Sequence, residues 1–356
     1  MIAIGADVHK GRCVFAKLEE NGKVKMLEPI ECTREAWLKR LAELPPEAEI
    51  ALEVSTSGYF AMSVIEEAGW LKRAHWVHTA GVDTLRKQKS DRLDARKLAR
   101  KLGANTADPL PEAWFPPAPI RQLRMVARQR CRIARLRALT KNRLNSLLQM
   151  HGLRAPVSIL SAAGREWMQQ QNLPQPVQQC FEQTFRLYDF LSGERESSEK
   201  NLAAWAGQFP EVKLLRSIPG LGHILSALIW GEIGSLERFP SADALVNTTG
   251  MVSRLYQSGE ISVQGPITRQ GSAWLRWALI TAANCVTRSR GPLGRRYWSL
   301  RRRKRPNVAK TAVACSVARC VYGVLKTENL SRLNVGAGGP ASWSRKPELA
   351  LGTPSP

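Results

Sequence analysis

Four carboxylates have the type and placement to do chemistry together: Asp7, Glu53, Asp91 and Asp94. Asp7 closes the apolar run IAIGADV, and Glu53 closes a second apolar run, EIALEV. Asp91 and Asp94 are three apart in SDRLDARKL, a spacing that puts both on one face of a helix. Clustered carboxylates repel one another unless cations neutralise them, and hard oxygen ligands suit Mg²⁺. Two such ions about 4 Å apart can stabilise the attacking and leaving oxygens of a phosphoryl transfer. The residues also allow a plainer reading, in which Asp91 sits beside a helix N-cap and Asp94 pairs with Arg92 or Lys97 on a solvated helix.

The elements that position these residues follow from the pattern of the first 110 residues. MIAIGADV and GRCVFAKLEE read as strands, and Asn21-Gly22 supplies a hairpin signal into a third, KVKMLEPIEC. Thr33 is a suitable N-cap for TREAWLKRLAEL, with Glu35 in the first turn, and Pro45-Pro46 ends that helix. EIALEV is a fourth strand, followed by a helix over 58–68, a stop at Gly69 and a fifth strand at AHWVHT. Ser90 caps the next helix. Strands and helices in this order make a mixed sheet with covering helices, so Asp7 and Glu53 are expected at one sheet edge with the helical pair above them.

Charge divides the rest of the chain from this part. Lys and Arg number 53 against 30 Asp and Glu, a net of +23 in 356 residues. Residues 1–110 hold 18 basic and 16 acidic groups, 111–200 hold 14 and 7, and 201–356 hold 21 and 7. A polycation behind a nearly neutral front end argues for a polyanionic partner, nucleic acid before membrane surface. No apolar run reaches the ~18 residues needed to span a bilayer, and the N-terminus lacks signal-peptide features, so secreted and membrane classes are set aside. Seven scattered cysteines without a CxxC pair fit free thiols in a reducing cytoplasm, not a disulfide framework or zinc site. His75 and His78 fall on opposite faces of their strand, against a metal site there.

After the Pro-rich linker PLPEAWFPPAP, residues 120–152 read as one long helix. Val126, Ile133 and Leu147 recur at multiples of seven with Leu136, Leu144 and Met150 beside them. The other faces hold nine basic residues and no acidic one, among them Arg121, Arg124, Arg128, Arg132, Arg135 and Lys141, and are expected to track phosphates. A helix over 176–206 is its expected antiparallel partner. SIPGLG is a turn of helix-hairpin-helix type, GMVSRLYQSGEISVQGPITRQG reads as loop-rich, and two or three basic helices follow to 327. Arg269, Arg276 and the run Arg301, Arg302, Arg303, Lys304 are further phosphate-contact candidates. Residues 331–356 look like a flexible tail. The expected domains are 1–110, 111–207, 208–330 and that tail.

Six segments in order resemble a known family. GADVHK, ALEVSTSGY and KSDRLDARKLA resemble the D-E-D-D signature of the insertion sequence 110 family of transposases, and SIPGLG, QSGEISVQGPITRQG and WLRWALITAA resemble that family's C-terminal domain. Asp83 lies near the third segment but in a context that matches less well. The resemblance spans residues 1–327. It implies a RuvC-like, RNase H-type domain binding Mg²⁺ through Asp7, Glu53, Asp91 and Asp94, joined to a basic coiled-coil region and a helical C-terminal domain. It implies a cytoplasmic recombinase of a prokaryotic mobile element, directed to donor and target DNA by a structured bridge RNA. It also implies protomers that assemble as a dimer and then a tetramer, with no membrane. Ser258, in Tyr256-Gln257-Ser258-Gly259, matches the family's nucleophile, which forms a phosphoserine; Ser253, Ser262 and Ser272 are the alternatives. Only Glu260 in the surrounding stretch 253–275 is a possible base, so activation through a metal on the carboxylates is the simpler expectation. The rival readings are a RuvC-like junction nuclease using water and a non-catalytic nucleic-acid-binding protein.

Overall fold

The computed structural model describes residues 2–78, 90–104, 110–258 and 261–327, with backbone alone at 255–258 and 261–264. Asp83, Gly259, Glu260 and the tail 331–356 lie outside the described residues. The chain forms two compact units that divide at Pro116.

In the first unit the strands are β1 (Ile2–Val8), β2 (Arg12–Leu18), β3 (Val24–Met26), β4 (Ile30–Glu31), β5 (Ala48–Glu53) and β6 (Ala74–Val77). The helices are α1 (Arg34–Glu43), α2 (Thr56–Glu67) and α3 (Asp91–Gly103). The sheet order is β3-β2-β1-β5-β6, with β4 also on β2. β1 is antiparallel to β2 and parallel to β5, which is parallel to β6. This is the mixed sheet with helices that the resemblance implies. β1 is central and buried on both faces, which is why it is an unbroken apolar run up to Asp7.

Alternation divides β1 between two cores. Ile4, Ala6 and Val8 pack with Phe15, Trp37 and Ile65. Ala3 faces the other way, with Ala51, Leu98 and Leu102. Gly5 shares the side of Ala3, and a Cβ there would stand 2.0 Å from the carbonyl oxygen of Ala95 and 2.5 Å from the Ala99 nitrogen. The missing side chain lets α3 lie against β1. Thr33, Ser55 and Ser90 cap α1, α2 and α3, each hydroxyl oxygen accepting from a backbone N–H three residues on.

The second unit is mostly helical: α4 (Ala118–Met150), α5 (Ala162–Gln169), α6 (Gln175–Ala206), α7 (Pro210–Leu215), α8 (His223–Ile233) and α9 (Ala242–Thr248), then α10 (Ala273–Val286), α11 (Pro292–Arg301) and α12 (Pro306–Thr327). Between α9 and α10, β7 (Ser253–Ser258) and β8 (Ile261–Ile267) pair antiparallel, so the stretch expected as loop is a hairpin. Pairs from Ser253–Ile267 to Ser258–Ile261 hold the two strands together despite their polar composition. α4 and α6 run antiparallel, as Arg130–Glu199 and Arg137–Ser192 contacts show. Of the residues expected on the packed side of α4, Ile133, Leu144 and Leu147 are buried, but Leu136 is 51% and Met150 67% exposed. Among the described residues one helix, α12, is long and apolar enough to cross a membrane, contrary to the expectation from the sequence. Val313, Val317 and Val321 on it are fully buried within the unit, as in the core helix of a globular fold.

A candidate cation site and the cationic helices

The parallel register of β1 and β5 pairs Ala6 with Leu52, which makes Asp7 and Glu53 the next residues along adjacent strands. Both leave the sheet at the same end and, by alternation from Gly5 and Ala51, toward the side covered by α3. Ser55 turns the chain into α2 immediately afterwards. Gly58 is required in that turn because a Cβ would stand 2.3 Å from the Glu53 carbonyl oxygen. On α3, Asp91 is the first helical residue and Asp94 lies in the first turn, where the helix dipole favours negative charge.

Among the described residues, Asp7, His9 and Asp91 bring donor atoms within 4.8 Å of one another. His9 Nε2 lies 3.1 Å from Asp7 Oδ2 and 3.3 Å from Asp91 Oδ1. Burial pushes the Asp7 carboxyl above its ordinary value; His9 pulls it back, and Asp91 and Asp94 push it further up. Asp94 is thus felt by Asp7 but also contacts Lys97 Nζ at 3.5 Å, the helical ion pair that the plainer reading anticipates. Glu53 is half-buried on the neighbouring strand end and is outside the three-residue convergence. Reasoning from the sequence missed His9. Its signal was the Asp-Val-His spacing, which returns the third side chain to the side of the first on an extended chain. His75 instead bridges Glu49 (2.9 Å) and Glu112 (2.5 Å), tying the segment after residue 110 to the sheet.

The donor set suits a divalent cation. Two carboxylates are hard oxygen ligands for Mg²⁺, and an imidazole nitrogen extends the fit to Mn²⁺. Among the described residues, a neighbouring histidine offsets the two further carboxylates at Asp7, a balance to which a bound cation would add positive charge.

The basic residues divide sharply. Glu232 on α8 has a side chain only 2% exposed, and Arg128 meets it with two bonds of 2.7 and 2.9 Å. Arg124 donates to the Gly231 and Glu232 carbonyls, Arg130 to Glu199, and Arg137 to Ser192 and Tyr188. These four therefore brace α4 inside the unit, correcting the expectation that Arg124 and Arg128 face phosphate. A buried carboxylate needs a guanidinium more than the surface does. Arg276 donates to the Thr249 carbonyl at 2.8 Å. Arg121 is half-buried, while Arg132, Arg135, Lys141, Arg269, Arg301, Arg302, Arg303 and Lys304 are exposed.

Ser258 is the last residue of β7, opposite Ile261 at the start of β8. Ser253 begins β7 and Ser262 lies in β8. Ser272 has structural work: its oxygen caps α10 by accepting from the Leu275 N–H at 3.1 Å, and its hydroxyl donates to Glu232 at 2.8 Å.

Comparison with known proteins matches both units. A model of the DEDD transposases of the IS110 group covers residues 4–152, and one described as the transposase IS116/IS110/IS902 family covers 212–299. Together they span about two thirds of the chain. The transposase for insertion sequence element IS1328 of Yersinia enterocolitica is 24% identical over 333 residues, covering 90% of this chain and 96% of that protein. A probable family 20 transposase of Pseudomonas aeruginosa is 23% identical over 323 residues, covering 86% and 93%. The transposase for insertion sequence element IS1111A of Coxiella burnetii is 29% identical over 90 residues, a span of 25% of either chain.

Proposed function

This chain belongs to the IS116/IS110/IS902 family of transposases, and from that premise we propose that it cuts and rejoins donor and target DNA under the guidance of a structured bridge RNA. The enzyme is a DNA transposase. The observation that carries the finer reading is the convergence of Asp7 and Asp91 across one histidine at the end of a central strand.

In this reading Asp7, Asp91, Glu53 and Asp94 hold Mg²⁺, which when bound supplies positive charge to a scissile phosphate. Ser258 Oγ attacks phosphorus; the P–O bond to the leaving strand breaks as the O–P bond to serine forms, and the serine proton departs to solvent. The phosphoserine preserves the energy of the broken bond, so the hydroxyl end of a strand from the other duplex can later attack its phosphorus, the new P–O bond forming as the bond to Ser258 breaks and the serine oxygen regains a proton, without an external energy source. Arg121, Arg132, Arg135, Lys141, Arg269, Arg276 and the run Arg301, Arg302, Arg303, Lys304 are assigned to backbone phosphates, which position nucleic acid without reading sequence. Base pairing to the guide would then carry the specificity, in a cytoplasmic enzyme working on the nucleoid as an assembly of protomers.

The test uses protein co-expressed with its native flanking DNA, then given Mg²⁺ and labelled donor and target duplexes. After denaturation, peptide mass spectrometry is expected to find a nucleotide on the peptide containing Ser258, and Ser258→Ala is expected to lose both the adduct and strand cleavage. Cleavage by Ser258→Ala at the wild-type rate would refute the nucleophile and favour water-dependent hydrolysis at the carboxylates.

A further inference from the structure

The carboxylates of the C-terminal helices leave two negative charges unanswered. From residue 201 to 327 the described acidic residues are Glu211, Glu232, Glu237 and Asp243. Glu232 is matched to Arg128 and Asp243 to Arg319. Glu211 and Glu237 have no ion pair among the described residues, and both line one cleft of about 540 Å³, within the ~300–1,000 Å³ of small-ligand sites. No arginine lines it among the described residues. On a unit this basic, an acidic cleft is the exception.

The local fold explains the cleft. Pro210 opens α7 and sets Glu211 in its first turn. Gly234 ends α8 with φ +68°, a left-handed cap that turns the chain toward α12. The turn is held there by the Tyr322 hydroxyl, which donates to the Phe239 carbonyl at 3.3 Å. Trp230, Phe239 and Tyr322 form aromatic walls, 7%, 6% and 9% exposed. Lys326 also lines the cleft, its ammonium 5.7 Å from the Tyr322 ring centre, so a cation already rests on one of these walls. Two buried polar atoms of the lining are without hydrogen-bond partners among the described residues: Glu211 Oε2, an acceptor, and the Trp230 indole nitrogen, a donor. A buried polar group left unpaired costs stability, and a guest that supplies the partner regains it.

We infer that this cleft takes an arginine side chain presented by another polypeptide. The guest has to bring positive charge with donors for two carboxylates, a planar surface for the rings and an acceptor for the indole N–H. A guanidinium is planar, weakly hydrated and forked toward carboxylates, and it stacks on aromatic faces. The peptide carbonyls beside it supply the acceptor. A polyamine or a metal ion brings no acceptor, and a nucleic acid brings phosphates against Glu211 and Glu237. Arginine is also what Glu232 and Asp243 meet within the fold. The cleft gives a protein partner a place on a unit whose charge otherwise attracts polyanions. It includes none of the residues assigned to cleavage or to phosphates, so it stands independently of the recombinase reading.

Full-length protein stripped of nucleic acid is titrated calorimetrically, at physiological salt, with a blocked five-residue peptide carrying one central arginine. The same peptide with citrulline in place of arginine keeps the shape and removes the charge. The arginine peptide is expected to bind saturably at one site per chain, and the citrulline peptide at least ~10-fold more weakly. Glu211→Gln is expected to weaken the arginine peptide at least ~10-fold, and Glu237→Gln, at an exposed position, about 3-fold. Neither is expected to change the affinity for the citrulline peptide. The Glu237→Gln variant keeps the test open should Glu211→Gln disturb the first turn of α7. Wild type that binds no peptide, two peptides that bind equally, or two variants that bind like wild type would each overturn the proposal. Displacement of the peptide by spermidine or guanosine monophosphate at comparable concentration would overturn it as well, and would assign the cleft to a polyamine or a nucleotide.

Discussion

The second unit and the end of β1 treat a carboxylate in opposite ways. Among the described residues of the second unit, the ion-paired carboxylates are matched to arginine: Glu232 to Arg128, Glu199 to Arg130, Asp189 to Arg165, Glu182 to Arg186 and Asp243 to Arg319. In the first unit, at the end of β1, Asp7 has Asp91 and Asp94 for neighbours and one histidine between. A carboxylate answered by a guanidinium is a brace, and its charge is used up in the fold. A buried carboxylate among other carboxylates costs the fold stability and is left with charge for a ligand. The direction of the Asp7 shift records that cost: its carboxyl is held above its ordinary value, first by burial. In an overwhelmingly basic protein, a buried aspartate whose ion-pair partner among the described residues is a histidine is therefore the informative feature.

Opposite substitutions test the comparison most strongly. Asp7→Asn is expected to lower strand cleavage by at least ~10³-fold, about 4 kcal/mol of transition-state stabilisation, in a single-turnover assay. It is expected to leave the melting temperature unchanged or raised. The sign follows from linkage: a raised carboxyl pKa destabilises the folded state above that value, and Asn removes the penalty. Glu232→Ala is the reverse case. It strands Arg128 beside a buried gap and takes away the acceptor of the Ser272 hydroxyl, and is expected to cost about 3 kcal/mol, roughly 6–12 °C in Tm for a unit of this size. Equal losses of stability in the two variants would end the distinction between brace and site.

Why Asp7 was legible in the sequence and Glu232 was not is a matter of range. Asp7 and Glu53 each end an apolar run, and a strand's period of two makes such ends visible without knowing the fold. Asp91 follows the N-cap Ser90, a signal contained in four residues. His9 went unread because its meaning depends on Asp91, 82 positions later, folding back over β1. The arginines of α4 were read as a phosphate-facing surface for the same reason: Glu232 is 104 residues from Arg128, and periodicity gives no hint of so distant a counter-charge. The β7–β8 hairpin was missed for a local reason. β7 (SRLYQS) has no apolar alternation, the alternation Ile261, Val263, Ile267 of β8 is interrupted by Gly265-Pro266, and Gly-Glu is a weaker turn signal than the Asn-Gly after β2.

Gly5 gives a smaller test within the first unit. Gly5→Ala adds a methyl into space already held by the Ala95 carbonyl oxygen, so α3 must move away from β1. The expected cost is about 1–3 kcal/mol in denaturant unfolding. Because α3 carries Asp91, cleavage is expected to fall more than stability alone accounts for, with weaker Mn²⁺ binding by titration. A cleavage rate equal to wild type in the folded fraction would show that the position of α3 does not govern the site.

The finest distinction lies between two serines that do the same local job. Ser90 caps α3 at 3.4 Å and Ser272 caps α10 at 3.1 Å, and replacing a cap by alanine costs about 1 kcal/mol on average. Ser272 also donates to the buried Glu232, so Ser272→Ala is expected to cost about 1 kcal/mol more than Ser90→Ala. Activity is expected to rank the other way. Loosening the first turn of α3 displaces Asp91 and Asp94, whereas loosening α10 disturbs a brace with no role in cleavage. Stability by denaturant unfolding and cleavage by single turnover, measured on both variants, separate the two roles. If Ser272→Ala instead abolished cleavage while Ser258→Ala spared it, the nucleophile would have to be moved to the start of α10.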